Sequence, residues 1–225
     1  DANALFVEGE TDNVGIGNND PADKLHVYLA SGQRIARFEA NNSTSAHIAF
    51  KASNTSLMPT IGVKDEDLYL STGDAVEAFR IDANGAVTMP LQPMVFAIRD
   101  SSRMTASSSQ AYATVEFTEQ IDVGNDFASH EFTCPVDGKY FVSFFGMVLN
   151  SGASWAIVNI QHNGTGKFSA YEDISSSDNG SNHISASGII NASASDTIRA
   201  RFAGGDTNSK LHEGNYGGIS IQLIA

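Results

Sequence analysis

Six histidines, His26, His47, His130, His162, His183 and His212, are the side chains of this sequence best suited to acid–base work or metal ligation. None stands four positions from another and no His-Glu-x-x-His occurs, so a zinc site of familiar spacing is absent. Serine is abundant, but no Gly-x-Ser-x-Gly elbow presents one as a nucleophile. Cys134 is the sole cysteine, which rules out an intrachain disulfide. It lies beside Pro135 in an apolar stretch with no adjacent base or helix N-terminus, so a small buried hydrophobe is expected instead of a reactive thiolate. Asp65-Glu-Asp67 is the densest group of acids, with a solvated turn set against a calcium site. Val14-Gly-Ile-Gly17 suggests a phosphate loop, yet the third glycine and the following helix are missing. Asn163, Asn179 and Asn191 head Asn-x-Ser/Thr triplets, which matter only in a eukaryotic secretory path.

The elements that would carry these residues are strands. Period-two alternation recurs between clusters of Ser, Asn, Asp, Gly and Thr, and no sustained helical apolar stripe appears. The net charge of −13 is spread along the whole chain, with no Lys/Arg cluster. Such a surface repels phosphate backbones, which excludes nucleic-acid binding. No stretch reaches the roughly 18 apolar residues of a membrane-spanning helix, and Asp1-Ala-Asn-Ala is no signal peptide, as if the sequence began inside something longer.

The most specific segment is Glu131-Phe-Thr-Cys-Pro-Val-Asp-Gly-Lys-Tyr-Phe-Val-Ser-Phe-Phe145. It predicts a strand, a Pro-Val-Asp-Gly turn and a second strand, with Gly138 supplying a positive φ for the turn. Tyr140, Val142, Phe144 and Gly146 share one face, and Phe141, Ser143, Phe145 and Met147 the other. Both faces are largely apolar, so the strand sits in a thick interior or against neighbouring chains. Further strands are expected over Met94–Arg99, Ala113–Phe117, His130–Cys134, Lys139–Leu149, Trp155–His162, Lys167–Ile174, His183–Asn191, Thr197–Phe202 and Gly217–Ile224. The signature resembles that of the complement C1q globular head, a jelly roll related to tumour necrosis factor. Pro93-Met-Val-Phe-Ala-Ile resembles the entry strand of that family. Val115-Glu-Phe with Ile121-Asp-Val resembles the segment before the signature, and Tyr216-Gly-Gly-Ile-Ser-Ile-Gln-Leu-Ile the closing strand. The resemblance implies a C1q/TNF-like jelly-roll β-sandwich over 93–225 that works as a homotrimer and not as an enzyme.

Residues 1–92 have another habit. Asn13-Val-Gly-Ile-Gly-Asn-Asn-Asp-Pro-Ala-Asp-Lys-Leu-His-Val27 and Phe79-Arg-Ile-Asp-Ala-Asn-Gly-Ala-Val-Thr88 are similar to a module of phage tail-fibre and tailspike stalks. That likeness implies an intertwined, trimeric, β-rich stalk in which no single chain has a core of its own. Ile35, Phe38, Ile48, Phe50, Ile61, Val63, Leu68, Leu70, Phe79 and Ile81 are thin cover for a globule of this size, as a shared core requires. Gly32–Ala40 is the one helix candidate, with a strand as the alternative. Met89-Pro-Leu-Gln-Pro93 is the expected boundary, held extended by its prolines.

On a jelly roll of this kind, binding falls to the loops at the end away from the stalk, about 100–112, 150–154, 175–182 and 203–215. The candidate receptor-binding residues are Asp178, Asn179, Asn182, Asp206, Asn208, Lys210 and His212. Trp155 and Tyr171 are either sugar-stacking or packed aromatics. C1q-like heads carry calcium near the trimer axis, for which Asp178 and Asp206 are the candidates; no other cofactor is implied. The expected whole is the distal part of a trimeric phage tail fibre at the virion's tail-fibre tip, without membrane insertion. It would join upstream fibre or virion proteins and adsorb to a host-surface glycan or protein. The alternatives are a structural fibre cap without a ligand, a bacterial adhesin of the same architecture, and a depolymerase, for which the stalk is too short and irregular.

Overall fold

The computed structural model describes residues 5–30, 32, 34–41, 44–73, 76–107, 110–149, 155–173 and 181–225. The chain divides into two compact units, residues 1–88 and 89–225. Both are built from strands, with a single 3-10 turn at Gly214–Tyr216 as the only helical element among the described residues.

In the first unit, β1 (Phe6–Val7), β2 (Val14–Ile16) and β3 (Leu25–Val27) form a small sheet in which β2 and β3 run parallel. Only eight residues join that parallel pair, where a dozen or more are usual. Side-chain amides make the short path possible. Asn13 Nδ2 donates to the Pro21 carbonyl at 3.0 Å, and Asn18 Nδ2 to the Asp20 carbonyl at 2.9 Å. A Cβ on Gly15 would lie 2.1 Å from the Asn18 carbonyl oxygen, so the glycines of Gly-Ile-Gly admit a fold-back of the chain, with no helix behind them.

β4 (Ser45–Ala49), β5 (Thr60–Lys64), β6 (Asp67–Ser71), β7 (Glu77–Ile81) and β8 (Val87–Thr88) make an antiparallel meander in chain order. Register places Ile48, Ile61, Leu70 and Phe79 in one row and Ala46, Val63, Leu68 and Ile81 in the next, all on one face. The opposite face is polar, with Arg80 paired at 2.5 Å to both Asp67 and Glu77. Asp65-Glu-Asp67 turns between β5 and β6, with Asp67 committed to Arg80. No large apolar side chain in the described part of this unit is buried; Ile61 is 38% exposed and Val63 46%. Residues 34–40 are neither helix nor strand, so the helix candidate fails where it is described.

The second unit contains β9 (Met94–Arg99), β10 (Met104–Thr105), β11 (Ala113–Thr114), β12 (Phe117–Val123), β13 (Phe127–Ala128), β14 (Glu131–Thr133), β15 (Gly138–Leu149), β16 (Trp155–His162), β17 (Thr165–Asp173), β18 (Ser181–Ala192), β19 (Thr197–Gly204), β20 (Lys210–Leu211) and β21 (Gly218–Leu223). Sheet one runs β12-β9-β21-β15-β18, with β20 and β10 continuing beside the far end of β15. Sheet two runs β13-β14-β19-β16-β17, with β11 on β19. Consecutive strands change sheets repeatedly, the connectivity of a two-sheet jelly roll.

One core lies between the sheets. Val95, Ala97, Tyr140, Val142, Phe144, Ile219 and Ile221 from sheet one meet Phe132, Val158, Ile160, Ile198 and Phe202 from sheet two, all 1% exposed or less. The alternation expected of the signature strand holds, since Tyr140, Val142, Phe144 and Gly146 are buried and Phe145 faces outward. Gly138 differs from expectation. Its φ is not positive; a Cβ there would sit 2.4 Å from Leu223 Cδ1, so close passage of the last strand demands the glycine. Cys134 is fully buried, and burial pushes its thiol up to about 12, with Asp196 and Asp126 adding to the effect.

The segment 113–117 is not the single strand the sequence predicts. Val115 N donates to Ala200 O in sheet two at 3.0 Å, while Phe117 already pairs with Arg99 in sheet one. The chain crosses between sheets in two residues. Entry and exit lie side by side, since β9 pairs with β21 and Leu223 N donates to Pro93 O at 3.0 Å.

Candidate functional site

Because both ends of the second unit lie together, its opposite end is defined by the end of β9, the end of β15, the start of β16, the end of β17 and the start of β18, with the 205–217 segment between. Asp178 and Asn179 fall outside the described residues, as do 150–154 and 174–180. The remaining candidates separate into three places.

Asp206 and Asn208 belong to a tight turn after β19. Asp206 Oδ1 accepts from Asn208 N at 2.7 Å, and Ser209 N donates back to Asp206 O at 3.2 Å. The turn is fastened to the start of β16: buried Ser209 Oγ and Gly205 N both donate to the Trp155 carbonyl at 2.9 Å. Lys210 is not on a loop, because β20 is zipped between β10 and β15, opposite Thr105 and Leu149. His212 N donates to Met147 O at 2.8 Å, and its ring lies 4.1 Å from that of Tyr216. Glu213 there binds Arg103 at 2.8 Å. Asn182 lies apart, donating to Glu172 Oε1 at 2.9 Å and so tying the edges of the two sheets.

Asp206 is thus occupied by its own turn, and among the described residues no group of three His, Cys, Asp or Glu side chains suits a metal ion. The groups nearest to catalytic form are structural in what they bond. His162 Nε2 donates to Asp196 Oδ2 at 2.8 Å, but Asp196 also accepts from Asn163 Nδ2 at 2.6 Å and Ser193 N at 2.8 Å. This carboxylate locks the β16–β17 turn to the 193–196 turn, and no hydroxyl or thiol hydrogen-bonds to His162 among the described residues. Asp126 is raised by burial and by neighbouring Asp122, whose own carboxylate accepts from Asp126 N and Phe127 N. A concavity of about 350 Å³ on the polar face of the meander is lined by His47, Lys64, Tyr69 and Glu77, but Arg80 holds the Glu77 carboxyl low. That disqualifies Glu77 as a neutral-pH acid.

Asp196 sets a pH dependence of stability. The Asn163 amide first, then Ser193 N–H and His162, hold its carboxyl down to about 2. A depressed carboxyl contributes stability that is full above its unfolded value, about 4, and is lost as pH falls through about 2. The melting-temperature gap between the parent protein and Asp196→Ala should be constant from neutral pH to about 4 and close toward pH 2. A gap unchanged at pH 2 would contradict the assignment.

Two features of this end were not anticipated. Arg99 is 2% exposed, donating to the Glu116 and Ser102 carbonyls, and burial lowers its guanidinium pKa. It fastens the crossover and the 100–103 loop, and Gly217 leaves it room. The signal was present in Met94–Arg99, where alternation puts Arg99 on the face of Val95 and Ala97. The second is that Trp155 and Tyr171, which the sequence offered each as a sugar-stacking or packed aromatic, lie against one another, their rings 6.1 Å apart with planes 21° from parallel.

The sequence matches no family model and none of the curated proteins. Among solved structures, murine APRIL at pH 5.0 is similar at 11% identity and a TM-score of 0.47, over 59% of this chain and 99% of its own. The globular domain of zebrafish complement 1qA is similar at 17% identity and 0.47, over 59% and 98%. Eiger TNF from S. frugiperda is similar at 12% and 0.48, over 60% and 93%. Residues 94–223 form two β-sheets packed face to face with jelly-roll connectivity.

Proposed function

We propose that this chain is the distal part of a homotrimeric fibre of the phage tail-fibre kind, a non-catalytic head that adsorbs to a host surface from the end of a β-rich stalk. The observation that carries the reading is an outer face rich in apolar side chains on each unit, with no described residue of that same unit over it. In the second unit, sheet one turns Met94, Phe96, Ile98, Phe141, Phe145, Met147 and Ile189 outward, with Ile189 60% exposed. In the first, both apolar rows of the meander stand open. Apolar faces of this extent are characteristic of association surfaces. Three copies around an axis cover the face of each with those of its neighbours, and they present three equal binding ends, which multiplies weak contacts into avidity. The place of action is the tail-fibre tip of a virion.

Light scattering should give a particle of three times the 23.8 kDa chain mass. A monodisperse monomer would overturn the architecture. Fluorescently labelled trimer should then adsorb to cells in a panel of bacterial hosts. A trimer that adsorbs to no bacterial envelope in the panel replaces the adsorption role with that of a structural cap.

A further inference from the structure

We infer that Trp155 and Tyr171 form a binding platform for a neutral saccharide on the outer face of sheet two; the inference rests on the adsorption role and names its ligand class. Trp155 lies opposite Asp173, and Ile157 opposite Tyr171, so the two aromatics are diagonal neighbours across adjacent strands. Their rings are near-parallel at 6.1 Å, and Tyr171 is 58% exposed. Lys167, Ser169 and Asp173 on β17 and Asn159 and Gln161 on β16 point outward alongside, and Arg199 and Arg201 continue the polar field on β19.

An apolar island of two rings and Ile157 is too small to seat a helix or a sheet face, which need hundreds of square ångströms. It fits a pyranose, whose flat C–H face stacks on an aromatic ring while its equatorial hydroxyls seek partners around the rim. Part of that rim is already bonded, Asn159 to Ser169 and Arg199 to Gln161, while among the described residues the Tyr171 hydroxyl, the Trp155 indole N–H and the Asp173 carboxylate have no hydrogen-bond partner. The platform is also fixed in place before any ligand arrives. Trp155 is clamped through its carbonyl by Ser209 and Gly205, which brings the Asp206–Asn208 turn beside the start of β16. Little ordering remains to be done on binding. Asp173, opposite Trp155, sets the charge beside the rings and disfavours carboxylated and sulfated glycans there, whereas Lys167, Arg199 and Arg201 lie farther along the face. Sheet two leaves this face to solvent in a trimer that joins through sheet one.

Trp155 is the only tryptophan of the chain, so its emission reports on the site directly. The trimer is titrated with maltohexaose, cellohexaose, mannohexaose and chitohexaose, with polygalacturonate as the anionic arm. A saturable shift of Trp155 emission with at least one neutral oligosaccharide is expected, with none for polygalacturonate. Tyr171→Ala should weaken that binding roughly tenfold or more, the scale of losing an aromatic anchor, with the mass and melting temperature of the trimer unchanged. Trp155→Phe, followed by calorimetry, should retain part of it. No response to any neutral sugar, or affinity unaltered in Tyr171→Ala, overturns the platform. If cells are still bound in that case, the adsorption role stands with its ligand elsewhere; if neither sugar nor cells are bound, both fail.

Discussion

Replacing Phe145 and Ile189 together by glutamate is expected to convert the proposed trimer to a folded monomer. The two lie on neighbouring strands of sheet one and point away from the sandwich, 38% and 60% exposed. Around a threefold axis the double variant places six carboxylates among the outward Met94, Phe96, Ile98, Phe141 and Met147 of each copy. Each costs several kcal/mol if buried without a partner, and like charges facing one another add to this. The sandwich beneath is untouched, because Phe144, Val142 and Ile190 hold the other face. Light scattering should therefore report the single-chain mass while circular dichroism keeps its β signature. A trimer that survives both charges would place the interface elsewhere.

Phe144→Ala is expected to remove about 3–5 kcal/mol, a large share of the margin of a domain stable by about 5–15 kcal/mol. The ring is 1% exposed at the centre of the core and meets Phe117 edge-on, centroids 6.4 Å apart at 71°. No neighbour is free to fill the space, because β15 is held on both sides by β18 and β21. Measured on the monomeric double-glutamate background, the denaturant midpoint should fall by roughly a third or more. Phe141→Ala, on the outward face of the same strand, should change the unfolding free energy by less than about 1 kcal/mol. Equal effects from the two would mean the strand's faces are assigned wrongly.

The parts legible in the sequence are those where a long strand repeats a pattern. The alternation over 138–149 fixes both faces, and Pro135 with the turn announces the strand's start. What stayed hidden depends on partners far along the chain. Lys210–Leu211 is a strand only because Met104–Thr105 and Val148–Leu149 come to it, and two residues have no period to recognise. Gly138 looked like a turn glycine because the crowding by Leu223 arrives from 85 positions away. The aromatic platform depends on register, and β16 and β17 contain a bulge at Ile160/Gln161 that shifts which residues meet. Asp206 and Asn208 were recognisable as turn residues, but not that their turn is anchored on Trp155.

The side-by-side entry and exit of the second unit has a mechanical consequence. A pull applied through Pro93, with the far end held by a bound surface, acts along the axis of β9. That strand is central, bonded antiparallel to β21 on one side and to β12 on the other. Its ladder bonds stand across the line of force, so tension loads them in shear, all together, instead of peeling them one at a time. Had the chain entered on an edge strand pulled sideways, it would unzip at small force. The position of β9 in its sheet makes residues 94–99 the mechanical root of the second unit.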